Sequence, residues 1–172
     1  MRRWKKSLIG IAVVALVMLG FMIWYKVHFS MSPAREFEVK TPAAAAKVLI
    51  ATQASAFKDS VVAGVVEHLG LRPAYVKVID VSALSSVHEA DWNAILVIHT
   101  WEMRQPQPDA KQFMERIGDH HKVIVLSTSG AGTLKLDGVD TISSASVMTD
   151  VPRRVAEIDS RIDAILNAQP DR

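Results

Sequence analysis

The sequence predicts an α/β domain built on a doubly wound, five-stranded parallel sheet, preceded by one N-terminal transmembrane helix. From Lys47 onward, short runs rich in β-branched residues alternate with segments of helical period, as in folds whose helices cover both faces of a sheet. The run Ala94–His99 is continuously apolar, which is typical of a strand buried on both faces. An uncharged stretch of 18 residues from Leu8 to Tyr25 predicts the membrane span.

The stretch Leu8–Tyr25 has the length and the flanks of a membrane anchor. At about 1.5 Å per residue it reaches roughly 27 Å, close to the thickness of the bilayer hydrocarbon core. Trp24 and Tyr25 close it with aromatic side chains that favour the membrane interface. The positive-inside rule places the N-terminus in the cytoplasm and the domain outside, in the periplasm or the extracellular space. The basic residues that precede the stretch are Arg2, Arg3, Lys5 and Lys6.

Two other interpretations compete with an uncleaved signal anchor held in the lipid bilayer. A cleavable signal peptide would have a small-x-small site directly after its apolar core, whereas residues 25–29 are bulky. A helix buried in a soluble core would keep a polar face toward solvent, and this stretch has none. Residues 26–46 show no sustained period and are predicted to form a linker. The chain then divides into an anchor with a cytoplasmic stub (1–25), a linker (26–46) and a domain (47–168).

Charge and composition exclude several function classes. The formal net charge is +2, but the first seven residues contribute +4, so the remainder carries −2 and offers no basic surface for nucleic acid. The chain has no cysteine, which excludes disulfides, thiolate metal sites and cysteine nucleophiles. The six histidines show no metal-ligand spacing, and no G-x-S-x-G motif surrounds Ser127–Ser129. We expect no nucleic-acid partner, no metal and no catalytic residue of hydrolase type.

The domain is predicted to contain five strands and about four helices. The strand Tyr75–Val81 is assigned to an edge of the sheet, because Lys77 and Asp80 give it a partly wet side. Residues 82–92 are predicted to form a short connection with one helical turn. The other strands are predicted at Lys47–Thr52, Ala94–His99, Val123–Leu126 and Thr141–Ala145, and the main helices end near Leu69, begin at Pro108 and run from Val151 to Asn167.

Three loops are predicted to meet at one edge of this sheet. They span residues 52–58, 99–105 and 127–132, each directly after a predicted strand. In open parallel sheets, ligands bind beyond the carboxyl ends of the strands, near the point where the strand order reverses. Hydroxyls, glycines and a tryptophan come together only in these loops, so we expect any site of this protein there.

The loop after the third predicted strand resembles the flavodoxin family. Flavodoxins carry Pro-Thr-Trp at this place, then a proline, an acidic residue and a helix with an early phenylalanine. This chain has Thr100–Trp101, Pro106, Pro108–Asp109 and Phe113. The loop 127–132 also resembles the second flavin-contacting loop of that family. The resemblance covers roughly residues 47–168 and implies the flavodoxin-like strand order 2-1-3-4-5.

The resemblance implies a site for flavin mononucleotide (FMN). In the family, a Ser/Thr-x-Thr-Gly-x-Thr loop wraps the phosphate with backbone N–H groups and hydroxyls, at a helix N-terminus. Here the glycine is missing, and Lys58 is the candidate for supplying positive charge. The alternative for Lys58 is a solvated residue in the first turn of a helix. The candidate cofactor residues are Thr52, Ser55 and Lys58 for the phosphate, and Thr100, Trp101, Ser127, Thr128, Ser129 and Gly130 around the ring.

Two residues near the end of the third predicted strand keep open interpretations. Trp101 would stack on the isoalloxazine ring, or it would cap the edge of the core with its N–H bonded to a loop carbonyl. His99 is expected to be a locally hydrogen-bonded residue at a strand end.

Three functions are compatible with these features. The first is a membrane-anchored, flavodoxin-like electron carrier that binds FMN and serves a redox partner. The second is a flavin-free binding or scaffolding module with the same fold, which serves a protein partner at the membrane. The third is a quinone-linked oxidoreductase, which would also require flavin.

Overall fold

The computed structural model describes residues 2–29, 32–40, 44 and 46–168 of the 172-residue chain. The chain separates into two compact units, Met1–Met31 and Ser32–Arg172. The first unit is helix α1 (Arg2–Phe29). Its segment Ser7–Trp24 has a mean hydropathy of 2.5 and is long and apolar enough to cross a membrane. The predicted apolar N-terminal helix is thus present, with a length and composition that membrane anchors share with signal sequences.

The second unit is a seven-stranded sheet with helices packed on both faces. Its order is β2-β4-β3-β5-β6-β7, and β1 pairs with β3. The five strands from β3 onward are mutually parallel and lie in the order β4-β3-β5-β6-β7, which is the predicted order 2-1-3-4-5. The strands are β1 (Ser32–Pro33), β2 (Phe37–Lys40), β3 (Ala46–Ala54), β4 (Ala74–Asp80), β5 (Ala94–Thr100), β6 (Val123–Thr128) and β7 (Asp140–Ser144).

Two strands come from the segment predicted to be a linker, so the predicted count of five strands is wrong. β1 pairs antiparallel with the carboxyl end of β3, and β2 pairs antiparallel along β4. The prediction that the Tyr75–Val81 strand forms an edge is also wrong, because β4 lies between β2 and β3. The partly wet side of β4 has a local cause: Lys77 lies opposite Glu38 of β2 and forms an ion pair with it at 3.4 Å.

Three further helices cover the sheet: α2 (Ala56–Gly70), α3 (Pro108–Arg116) and α4 (Val151–Ala168). One core cluster joins α2 and α4 to one face, through residues such as Val61, Leu96 and Ile158. The other joins α3 to the opposite face, through Phe113 and its neighbours. The predicted short connection after β4 is present as two 3-10 turns, Val81–Ser86 and Glu89–Asp91.

The strands run further than their apolar patterns predict. β5 ends at Thr100 and β6 at Thr128, and in the parallel register His99 lies beside Ser127 and Thr100 beside Thr128. The polar residues at these strand ends are therefore part of the sheet rather than of free loops. This extension brings the candidate site residues into fixed positions.

Candidate functional site

The connection between β3 and α2 is a single residue, Ser55, because the strand ends at Ala54 and the helix begins at Ala56. Ser55 is the N-cap of the helix, and its hydroxyl accepts a hydrogen bond of 3.3 Å from the backbone N–H of Lys58. This is ordinary helix capping, in which the serine oxygen pairs with one of the free amides of the first turn. The chain therefore has no extended loop at the place where the resemblance predicted a phosphate-wrapping one.

The carboxyl end of β3 is covered by the chain itself. Ser32 pairs with Ala54 and Pro33 with Gln53, so β1 occupies the strand edge next to the N-terminus of α2. The backbone N–H of Ala34 then donates a 2.7 Å hydrogen bond to Oδ2 of Asp80, the last residue of β4. The segment that leads into the domain thus holds the ends of β3 and β4 together.

Lys58 points into the molecule rather than into solvent. Its side chain is 0% exposed, and its Nζ donates to Oγ1 of Thr100 at 2.6 Å and to Oε1 of Gln53 at 3.2 Å. The same Gln53 oxygen accepts the backbone N–H of Thr100 at 2.9 Å. The alternative interpretation of Lys58, a solvated residue of the first helical turn, is therefore wrong.

The hydrogen bonds beyond Lys58 have a fixed direction. Thr128 Oγ1 donates its one proton to the carbonyl of His99 at 3.1 Å, so it must accept from Oγ1 of Thr100, 2.9 Å away. Thr100 in turn accepts from Lys58. A chain of donors thus runs from the ammonium on α2 through two hydroxyls to a backbone carbonyl, along the neighbouring parallel strands β5 and β6. We call Lys58, Gln53, Thr100 and Thr128 the lysine network.

Burial lowers the pKa of the Lys58 ammonium from 10.5 to about 8. The loss of hydration disfavours the charged form, and the negative charges of Glu102, Asp59 and Asp80 oppose that effect. At neutral pH the group is still mainly protonated, and it donates to the oxygens of Gln53 and Thr100.

His99 and Ser127 form a second buried pair beside the network. Nε2 of His99 lies 2.8 Å from Oγ of Ser127, and both side chains are 0% exposed. Burial lowers the pKa of His99 to about 4, and the charge of Lys58 acts in the same direction. The imidazole is therefore neutral and locally hydrogen-bonded, as predicted from its place at the strand end. A buried serine of this kind offers no access to a substrate.

Trp101 directly follows β5 and is half-buried. Its backbone N–H donates to the carbonyl of Thr128 at 2.8 Å. The centroid of its ring lies 6.2 Å from that of the His99 ring, and the two ring planes are tilted by 44°. The indole Nε1 is buried and has no hydrogen-bond partner among the described residues. The loop carbonyl expected to satisfy it is thus not in place.

Beyond Trp101 the chain forms a tight hairpin. Glu102 and Gln105 exchange backbone hydrogen bonds of 2.9 and 2.8 Å. Met103 and Arg104, between them, both adopt left-handed backbone conformations, with φ of 49° and 61°. Such turns usually carry asparagine or glycine, because other side chains are strained there. Met103 is 83% exposed at the tip.

The loop after β6 is held against β7. The backbone N–H of Ser129 donates to the carbonyl of Ser144 at 3.1 Å, and the N–H of Gly132 donates back to Oγ of Ser129 at 3.0 Å. Gly132 has φ of +66°, and a Cβ there would lie 2.6 Å from the backbone nitrogen of Ala145. Gly130, by contrast, faces open space.

The structure thus brings together some of the predicted site residues and separates others. Lys58, Thr100 and Thr128 share the lysine network, whereas the hydroxyls of Thr52 and Ser55 bond within their own segment. Sequence reasoning missed Gln53, whose side chain joins the ammonium to β5. Its signal was weak: an amide beside Thr52 at the end of an apolar strand.

A separate depression lies on the sheet face covered by the 3-10 turns that follow β4. Its volume is about 290 Å³, and Leu49, Lys77, Val87 and Trp92 are among the residues that line it. This is the lower end of the size range of small-molecule pockets. Among the described residues, no group of His, Asp and Glu side chains could hold a metal ion there or elsewhere.

Comparison with known proteins gives similarity at the level of architecture. No family description and no curated protein sequence matches this chain. An oxidoreductase from Corynebacterium diphtheriae is 12% identical, with a TM-score of 0.47 over 74% of this chain and 100% of that one. A flavodoxin from the domain Archaea is 12% identical, with a TM-score of 0.49 over 70% and 99%. General stress protein 14 of Treponema denticola, solved in complex with FMN, is 11% identical, with a TM-score of 0.43 over 70% and 99%.

Proposed function

We propose that this protein is a flavin-free binding module with flavodoxin-like architecture, anchored in a membrane by α1 and acting through contacts with another protein. The observation that carries the proposal is the buried side chain of Lys58, which fills the carboxyl end of the sheet where a cofactor phosphate would be expected. The strand order makes this edge the natural binding place of the fold.

The residues present do not fit the phosphate of FMN. A phosphate at a helix N-terminus needs free backbone N–H groups and unused hydroxyls around it. The hydroxyl of Ser55 caps α2, the strand edge beside it is paired with β1, and the connection is one residue long. The Lys58 ammonium is engaged with Gln53 and Thr100, so a phosphate would have to displace both bonds.

Trp101 does not decide between the two roles predicted for it. The half-buried residue fits a tryptophan that caps the edge of a core, and its backbone is fixed to Thr128. The buried indole N–H lacks the loop carbonyl that the capping role requires. The proposal therefore rests on the phosphate side of the site.

Membrane anchoring is supported by α1. Its apolar segment Ser7–Trp24 is exposed along its whole length, which is unfavourable in water and favourable in a bilayer. The basic residues before this segment favour an N-terminus in the cytoplasm and a sheet on the other side. The module would then meet its partner at the outer surface of that membrane.

The competing function is electron transfer through bound FMN. The strand order and the position of Trp101 at the end of β5 favour it. A quinone-linked oxidoreductase needs the same cofactor and is subject to the same test. The electron carrier and the oxidoreductase both require affinity for flavin, whereas the proposed binding module has none, so flavin affinity distinguishes them.

A flavin titration tests the proposal. The full chain, purified in detergent micelles, is expected to show no flavin absorption bands as isolated and no saturable quenching of FMN fluorescence when excess FMN is added. The Trp101→Ala variant serves as a matched control, since nonspecific quenching would be equal in both proteins. Saturable binding that Trp101→Ala weakens would overturn the proposal in favour of the electron carrier.

A further inference from the structure

The strand β2 is the outermost strand on one side of the sheet. It pairs antiparallel with β4 on one side, and no strand among the described residues pairs with its other side. The outer side of an edge strand carries backbone N–H and C=O groups that can pair with another strand, which is the usual starting point for strand addition.

β7 forms the opposite edge of the sheet. Its hydroxyls bind the preceding segment on one face: Thr141 donates to the carbonyl of Leu136 at 3.1 Å, and Ser143 to that of Leu134 at 3.0 Å. Leu136 also packs on the core. Of the two edge strands, only β2 carries both a positive and a negative side chain.

The side chains of β2 alternate between the two faces of the sheet. Val39 packs on the core cluster beside α2, and Phe37, on the same side, is 39% exposed. On the other side, Nζ of Lys40 lies 3.3 Å from Oε2 of Glu38, and both residues are exposed. The strand therefore carries opposite charges two positions apart on one face and an incompletely buried aromatic ring on the other.

We propose that two copies of this protein pair through β2, antiparallel, with Val39 of one copy opposite Val39 of the other. In this register each Glu38 faces Lys40 of the second copy, which gives two symmetric cross-strand ion pairs. The two sheets then form one continuous sheet around a two-fold axis, with the isologous contact expected of a homodimer.

The charge pattern selects this register. Pairing centred on Glu38 would place two carboxylates opposite each other, and pairing centred on Lys40 would oppose two ammonium groups. Like charges directly opposite are destabilising, and opposite charges are stabilising. A single lysine on an edge discourages strand pairing, whereas the Glu38–Lys40 pattern is complementary to itself when the strand is reversed.

The expected dimer is weak in dilute solution and favoured on a membrane. A four-residue strand pair buries much less area than a stable protein interface does. Confinement of both copies to one bilayer raises their effective concentration. Pairing through β2 rests on the membrane anchoring in the proposed function but not on whether the protein binds flavin, so the flavin titration and the pairing experiment can fail separately.

Charge exchange in the full chain tests the pairing. The chain has no cysteine, so a single Gln112→Cys substitution on the exposed face of α3 gives one labelling site for donor or acceptor dyes. Energy transfer is measured in proteoliposomes at a fixed protein-to-lipid ratio. We expect transfer for the parent chain and at least a tenfold loss of apparent dimer affinity for E38K and for K40E separately.

A mixture of the two variants tests whether the opposite charges of Glu38 and Lys40 pair between copies. In an equimolar mixture, the E38K copy presents two lysines on this face of β2 and the K40E copy presents two glutamates, so transfer between the two variants is expected to return. Circular dichroism of each variant checks the fold, because Glu38 also pairs with Lys77 within the chain. Absence of transfer in the parent, transfer unchanged in both single variants, or no recovery in the mixture would each overturn the proposal.

Discussion

The ammonium group of Lys58 donates a 2.6 Å hydrogen bond to the hydroxyl of Thr100, 42 residues further along the chain. Lys58 lies in the first turn of α2, and Thr100 is the last residue of β5. The bond therefore ties a helix N-terminus to a strand end at the carboxyl edge of the sheet, the edge at which open parallel sheets bind their ligands. It also keeps a positive charge in the interior, which has consequences for stability and for pH dependence.

Truncation of Lys58 is expected to destabilise the domain. Lys58→Ala removes a completely buried side chain and leaves a cavity, so the free energy of unfolding should fall by about 2–4 kcal/mol. Lys58→Met should cost less than about 1 kcal/mol, since it fills the space and both acceptors keep another partner. Urea denaturation of the full chain in micelles measures both values. Equal losses for the two variants would show that the charge, not the packing, matters.

The lowered pKa of Lys58 predicts that stability rises with pH in the alkaline range. Between about pH 8 and 10.5, the unfolded chain binds more protons at this residue than the folded chain does. The free energy of unfolding of the parent should therefore rise relative to that of Lys58→Met across this window, on the order of 1–3 kcal/mol. Denaturation midpoints at pH 7.5 and 10 would check this. The same change of the denaturation midpoint with pH in the parent and in Lys58→Met would contradict the lowered pKa of Lys58.

A second titrating group lies between α2 and α4. Burial raises the pKa of Asp159 to about 6, against the attraction of His68, and the nearby Asp163 adds to the rise. Nδ1 of His68 lies 3.8 Å from Oδ2 of Asp159, and its Nε2 lies 3.1 Å from Oδ1 of Asp163. The guanidinium of Arg72 pairs with Oδ2 of Asp163 at 2.8 Å. The folded state thus favours protonated Asp159, and this contribution is lost as pH rises from about 4 through 6.

Asp159→Asn should therefore gain stability over the parent as pH increases. Its denaturation midpoint is expected to be closest to that of the parent at pH 4 and higher than that of the parent at pH 7.5. An advantage of the asparagine variant that shrinks as pH rises would refute the assignment. Asp109→Asn, at the start of α3, provides a control outside this cluster.

Two glycines of the loop after β6 should respond differently to the same substitution. Gly132→Ala introduces a Cβ 2.6 Å from the Ala145 nitrogen at a positive φ, so we expect a loss of about 2 kcal/mol or more. Gly130→Ala meets nothing within 4 Å and should change stability by less than about 0.5 kcal/mol. Thermal melting of the two variants side by side gives the comparison, and similar melting temperatures would contradict the close packing of this loop.

The parallel core of the fold could be predicted from the sequence because its signals are long. The apolar run Ala94–His99 and the helical periods around it predict the strands and helices of this core, and the resemblance to flavodoxins implied the order in which its five parallel strands lie. β1 and β2 could not be predicted in the same way, since strands of two and four residues carry no usable period and form by pairing with β3 and β4. The edge assignment of β4 failed for that reason.

The location of the candidate site could be predicted from the sequence, but the hydrogen bonds among its side chains could not. Thr100 and Thr128 follow apolar runs, so their position at the carboxyl edge could be predicted from the sequence. The inward turn of Lys58 could not, because a lysine in the first turn of a helix is usually solvated and only tertiary contacts bury it. The role of Gln53 could not be predicted either, because it depends on the hydrogen bond that its side chain accepts from this buried ammonium.

Nitrogen-15 NMR of the lysine ammonium groups, with and without FMN, tests the central claim most directly. We predict one resonance, absent from Lys58→Met, that titrates near pH 8 and does not move when excess FMN is added. All lysines titrating above pH 10, or a saturable FMN-dependent shift of the Lys58 signal, would contradict a crevice closed by Lys58.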